Sequence, residues 1–167
     1  GTLTSCSLPQ AQADPTRFFV LSAATAPTAG AVAGAPTLHL RPVEVASFIR
    51  ARPIMVRRGE NEVEFRDYAR WGEPLEQGID RVLREELLAR GAVAAVNANG
   101  GRVAVRTADY ELSVRVLACE GTAAGGVNFH AVWELAPLGE NRGAPRHGDF
   151  RSDDLRWDGK NEATLAA

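Results

Sequence analysis

Two stretches late in the chain alternate apolar and polar residues so regularly that they limit the folds open to it. In the first, Tyr110, Leu112, Val114 and Val116 alternate with Glu111, Ser113 and Arg115; in the second, Val127, Phe129, Ala131, Trp133 and Leu135 alternate with Asn128, His130 and Glu134. Successive side chains of a strand point to opposite faces, so each stretch has one face to bury and one to leave in water. The linker Gly121 to Gly126 predicts that the two pair as an antiparallel hairpin with one buried face. That face needs a cover.

The cover is a helix over Pro74 to Arg90. Leu75, Ile79, Val82, Leu83 and Leu87 recur at spacings of three and four, which gathers them into one stripe while the other faces stay charged. Pro74 suits the first helical position, Glu73 and Glu76 meet the positive end of the dipole, Arg90 meets the negative end, and Gly91 can take a left-handed cap. Asp80 with Arg84 and Glu86 with Arg90 are acid-first pairs four apart.

Before the helix, β-forming residues mark strands at Thr16 to Ser22, at Leu38 to Val45 with a break at Pro42, at Pro53 to Arg57 and at Asn61 to Asp67, with a turn at Gly59. Residues 23–36, almost wholly Ala, Thr, Gly and Pro, have little to bury and read as a mobile loop. After the helix, Ala92 to Val96 and Arg102 to Arg106 flank the turn signal Asn99-Gly100-Gly101. Asp149 to Trp157 suggests a last strand, and a helical pattern starts at Asn161. The expected architecture is α+β: an antiparallel or mixed sheet packed on one face by a central amphipathic helix, with a short C-terminal helix.

A chain of 167 residues is the size of one domain. Nineteen Lys and Arg against twenty-one Asp and Glu, in no long block of either sign, leave no concentrated basic face, so nucleic acid is not an expected partner. No run of eighteen apolar residues offers a bilayer-spanning helix. Two cysteines, Cys6 and Cys119, are too few for a disulfide framework and lack the paired spacing of a zinc site.

Leu3-Thr4-Ser5-Cys6 resembles the lipobox read by bacterial lipoprotein-processing enzymes, in which the cysteine becomes the first mature residue. A thiol suits that position because a thioether can carry a diacylglycerol, and the amine freed by cleavage can take a third chain. At about 0.8 kcal/mol per buried methylene, two or three chains anchor a protein stably where one does not. Ser7, in the place after the cysteine, resembles an outer-membrane address. Residues 1–15 are thus expected to be lipobox and tether, and 16–167 one α+β domain. The bland alternatives are a chance four-residue match, or pairing of Cys6 with Cys119.

Leu-Thr-Ser-Cys, then Arg-Phe-Phe-Val-Leu-Ser, then Arg-Pro-Ile-Met-Val-Arg-Arg-Gly-Glu-Asn-Glu-Val, then Tyr-Ala-Arg-Trp-Gly-Glu-Pro-Leu follow one another along the chain. This order of segments resembles the ABC-type transport auxiliary lipoprotein family, most specifically from Asn61 to Leu75. The resemblance implies a non-catalytic accessory of an MCE-type intermembrane lipid transport system. It would be anchored by acyl chains on Cys6 to the periplasmic side of the outer membrane, dock an MCE-domain periplasmic protein, and assemble with other copies of itself. The Ala-rich stretch at 23–36 departs from the family pattern, as does the short closing helix from Asn161.

Candidate contact residues for such a partner are Trp71, Arg57 and Arg58. Against them stand the plainer readings that Trp71 packs the start of the helix against the sheet and that the arginines are solvated surface. His39, His130 and His147 stand at no metal-ligand spacing, and no cofactor is expected. His130 and Glu134, with Asp109 or Ser113 across the hairpin, could suggest a hydrolase, but no Gly-x-Ser-x-Gly accompanies them. Cys119 reads as a small, partly buried hydrophobe. The competing function is a periplasmic protein holding a small apolar ligand in a cleft between sheet and helix, an idea that a core filled by Leu75, Ile79, Val82 and Trp133 would dispose of.

Overall fold

The computed structural model describes residues 12–24, 32–97, 107–139, 143–152 and 155–157. Its organising element is the expected hairpin: β7 (Tyr110–Thr122) and β8 (Val127–Pro137) pair antiparallel from Tyr110↔Pro137 to Gly121↔Val127. A register shift between Val116 and Ala118 puts an extra residue into β7 and resets its alternation beyond that point. On the far side of β8 lies β9 (Arg146–Arg151), antiparallel, with Trp133 opposite Gly148.

The second edge of β7 is served by three short strands placed end to end, all parallel to it. β2 (Thr37–Leu40) pairs with Tyr110 to Leu112, β3 (Glu44–Val45) with Arg115 and Val116, and β4 (Pro53–Gly59) with Gly121 and Thr122. The break between β2 and β3 falls at Pro42, which has no N–H to give a ladder. A 3-10 turn, Ser47–Arg50, joins β3 to β4 and buries Ile49. β4 pairs antiparallel with β5 (Glu62–Trp71), the turn falling at Glu60 and Asn61 rather than at Gly59. β5 in turn pairs parallel with β1 (Arg17–Phe19), shorter than the strand read from Thr16 to Ser22. β6 (Ala95–Asn97) adds to β2 in parallel; the second arm of the expected turn at Asn99-Gly100-Gly101 lies outside the described residues. The described residues thus form a mixed sheet of nine strands.

The helix α1 is Leu75–Ala89, with Pro74 one residue earlier than expected, at the cap. Its C-terminus closes as the sequence implies: Gly91 has φ 64°, its N–H donates to the Leu88 carbonyl at 3.0 Å, and Ala92 N–H donates to Leu87 at 3.1 Å. Both acid-first pairs form, Arg84 to Asp80 at 2.6 Å and Arg90 to Glu86 at 3.0 Å. Two buried clusters lie under and beside the helix. One gathers Val43, Val45, Ile49, Met55, Val116 and Ala131; the other gathers Ile54, Ala69, Trp71 and Leu75; Ile79 and Cys119 touch both. The short C-terminal helix expected from Asn161 lies outside the described residues, among which α1 is the one α-helix.

The tail returns to the hairpin. Trp157 N–H donates to the Gly125 carbonyl at 2.9 Å, Arg66 lies over the Trp157 indole, and that indole rests directly on Gly121. A Cβ at 121 would stand 2.5 Å from the ring, so only glycine lets the 3 % exposed Trp157 sit there. Gly121→Ala is therefore expected to lower unfolding free energy by about 1–3 kcal/mol. Gly143→Ala, where nothing stands within 4 Å, should leave a urea midpoint unchanged. Equal midpoints for the two variants would show that the indole does not need this seat.

Candidate functional site

Cys6 and the lipobox residues Leu3, Thr4 and Ser5 lie outside the described residues. Trp71 is 6 % exposed, ending β5 and packing on Ile54, Ala69 and Leu75, so it joins the sheet to the start of α1. Arg57 reaches across from β4 to β7. Its Nε and Nη2 donate to the two carboxylate oxygens of Glu120, and its Nη1 donates to the Glu60 carbonyl at 2.8 Å. Glu120 has no exposed side chain and also accepts from Asn128 Nδ2 at 2.8 Å. The bond to Glu120 raises the Arg57 guanidinium above its ordinary range. Arg58 is paired with Glu64 at 2.6 Å on the surface. Both guanidinium groups thus already hold carboxylates of this chain.

Removing one partner of a buried ion pair strands the other, at about 3–5 kcal/mol, whereas an exposed pair is worth about 0–1 kcal/mol. Arg57→Ala is expected to destabilise by the larger amount and Arg58→Ala by the smaller, read from urea denaturation. Similar losses in both would mean that Glu120 is not sealed from water.

The polar face of the hairpin brings Ser113, Glu134 and His147 into one row, since Ser113 pairs with Glu134 and Glu134 with His147 across three strands. These residues share an open groove of about 380 Å³ with Arg41, Glu44 and Arg115. The order of the row matters for chemistry. A hydroxyl nucleophile needs the imidazole between it and the acid, and here the carboxylate stands in the middle. His130 points instead toward Asp149, with Nε2 3.8 Å from its carboxylate. His39 is 7 % exposed, 3.9 Å from Glu111. Among the described residues no three of His, Cys, Asp and Glu converge as a metal would need.

Cys119 is a free thiol packed against both core clusters. Burial, and next the charge of Glu120, push its pKa from an ordinary 9.0 up to about 12. Because the folded state holds this proton more tightly than the unfolded one, the contribution is intact below pH 9.0 and is lost as pH rises toward about 12. In a Cys6→Ser background, an aromatic disulfide reagent at pH 8 should label Cys119 only after denaturant is added; prompt labelling of the native protein would contradict this.

One surface was not expected from the sequence, and a second answers to the competing reading of a cleft between sheet and helix. At the corner of β5, Phe65 is 46 % and Tyr68 57 % exposed, and with Phe48, 44 % exposed, they line adjoining shallow clefts. Strict alternation would put residues three apart on opposite faces, but two steps along β4 from Pro53 to Met55 are matched by five along β5 from Arg70 to Phe65. That bulge turns both rings outward. The second surface is a cleft of about 480 Å³ between Ile79, Val82 and Leu83 of α1 and Leu112, Val114 and Trp133 of the sheet. Val82 and Trp133 are each only half-buried, so the core is not filled there.

Residues 19–165 match the family model for the ABC-type transport auxiliary lipoprotein component. A crystal structure of a Xanthomonas campestris protein carrying the DUF330 family model superposes with TM-score 0.68 at 18% identity, over 90% of this chain and 84% of that one. A crystal structure of an uncharacterized protein gives TM-score 0.63 at 18% identity, over 90% and 89%. At that identity the likeness is one of fold. No curated protein matches the chain. Among the described residues no helix is long and apolar enough to cross a membrane.

Proposed function

Because the chain belongs to the ABC-type transport auxiliary lipoprotein family, we propose that it is a non-catalytic docking subunit of an MCE-type intermembrane lipid transport system. In this reading acyl chains on Cys6 hold it to the periplasmic face of the outer membrane. The family match, with a lipobox-like Leu-Thr-Ser-Cys upstream of it, is the observation that carries the reading. The anchoring logic is chemical: two or three acyl chains supply the stable attachment that one chain cannot.

Docking needs a surface that gains from losing water, and the corner formed by Phe48, Phe65 and Tyr68 offers one. Aromatic side chains are enriched at protein interfaces because they bury much area for few rotatable bonds. Arg57, through its pair with Glu120, and Trp71, packed from inside, brace the strands behind that surface, and Arg58 with Glu64 lies exposed beside it. Self-assembly of several copies around the partner is part of the proposal.

Two measurements test it. Precursor carrying its own signal peptide, expressed in a Gram-negative host, is expected to yield a Cys6 peptide with diacylglycerol mass, absent from Cys6→Ala; an unmodified Cys6 would overturn the anchor. Phe65→Glu with Tyr68→Glu should abolish co-purification of an MCE-domain partner while the unfolding midpoint holds. Full retention of the partner would remove this corner from the interface.

A further inference from the structure

β9 closes the hairpin on one side and leaves its own outer edge open. β8 pairs with it from Leu135↔Arg146 to His130↔Arg151, and among the described residues no strand pairs with its other side. Which backbone groups that edge presents follows from one bond: Ser152 N–H donates to the Phe129 carbonyl at 2.9 Å, so Ser152 faces β8. In an antiparallel strand the N–H and C=O of one residue point the same way, and the direction reverses at each step. Gly148 and Phe150 therefore also face β8, while His147, Asp149 and Arg151 turn their N–H and C=O outward. All three are exposed. An unpaired row of this kind is a template for another strand.

The side chains decide which strand fits. Charges on an edge usually ward off pairing, which is the plainer reading of Arg146, Asp149 and Arg151. Yet Asp149 and Arg151 flank Phe150 with one charge of each sign. When the strand meets a second copy of itself antiparallel, about a two-fold axis at Phe150, Asp149 of each copy lies opposite Arg151 of the other. Because both residues face outward, each such pair exchanges backbone hydrogen bonds as well as matching its charges. An axis one residue to either side sets Asp149 against Asp149 or Arg151 against Arg151, which repel.

The two faces of the strand agree with that register. On the polar face the Asp149 and Arg151 side chains are 3.4 Å apart and 58 % and 62 % exposed, each with a free side for the second copy. His130, with Nε2 3.8 Å from the Asp149 carboxylate, adds to this face a group that favours the acid when protonated. On the other face Phe150 is 55 % exposed, supported only by a tilted contact with Phe129 at 6.1 Å between ring centroids. At the axis Phe150 meets its own copy in a close pair without backbone bonds between them, and both rings lose water.

We propose that two copies of this chain pair antiparallel through β9 about a two-fold axis at Phe150, joining β7, β8 and β9 of each into one continuous antiparallel sheet. The inference goes beyond the docking reading and needs neither acyl anchor nor partner, so its failure would leave both of those standing.

The test uses the 167-residue chain with Cys6→Ser, followed by sedimentation equilibrium. This parent should dimerise reversibly with a Kd below about 1 mM. Asp149→Arg, or Arg151→Asp should the first fail to fold, should raise Kd by about tenfold or more, and the two together should return it to within about threefold of the parent. Phe150→Cys should give a disulfide-linked dimer on oxidation, since Cα atoms of such a pair stand about 4.5 Å apart. The parent, with Cys119 packed in the core, should not link. The proposal is overturned by a parent that stays monomeric to about 1 mM, by a folded charge variant that dimerises as the parent does, or by a folded double swap that does not recover. Linkage of Phe150→Cys that survives Asp149→Arg overturns it as well, and a dimer that forms without that linkage places the contact on another edge and does the same.

Discussion

The centre of the sheet is arranged by the need of β7 to satisfy its backbone on both sides. A strand of thirteen residues presents two long rows of N–H and C=O groups, and leaving one row bare would cost stability and invite foreign pairing. β8 satisfies one row in a single run. The other is satisfied piecemeal by β2, β3 and β4, with Arg41 and Ala46 carrying the hydrogen bonds on to the Leu112 and Val116 carbonyls where the strands break. This division of labour accounts for the short strands β2 and β3 and the turns that follow each, while β5, ten residues long, pairs with β4 and β1 instead. The segments β2, β3 and β4 are laid along the free edge of a three-stranded antiparallel sheet, β7 with β8 and β9, that the second half forms by itself.

That dependence also sets what could be read from the sequence. The β7–β8 hairpin and α1 were legible because their signals are local: alternation across a glycine-containing linker, a stripe at helical spacing, a glycine in place for the cap. Asp80 with Arg84 and Glu86 with Arg90 were legible for the same reason. Arg57 was not, because the carboxylate that takes it, Glu120, is 63 residues away and on a strand whose neighbour had to be known first. The parallel pairings of β2, β3 and β4 with β7 carry no short-range mark. The exposed pair Phe65 and Tyr68 was hidden by a bulge, which breaks the rule by which strand faces are assigned.

The cleft shows a different limit. The stripe Ile79, Val82 and Leu83 says which side of α1 faces the sheet, but not how close it comes. Distance is decided by what holds the helix, and here that includes Arg81 and Arg84 reaching backbone carbonyls beyond either side of it. Leu75, Gly78 and Ile79 pack the first half of the helix onto the core, and Val82 and Leu83, further along, stay half-buried.

β1 gives the fold a mechanical property. It is joined to the sheet at its outer edge, parallel to β5, through the three pairs Arg17↔Ala69, Phe18↔Arg70 and Phe19↔Trp71, with Gly72 N–H donating to the Phe19 carbonyl at 2.7 Å. A pull along this strand from the preceding segment loads those bonds together, in shear, while a pull away from the sheet opens them one after another. The same few contacts therefore act as a firm grip in one direction and a release in the other, with the load delivered beside Trp71 and the start of α1.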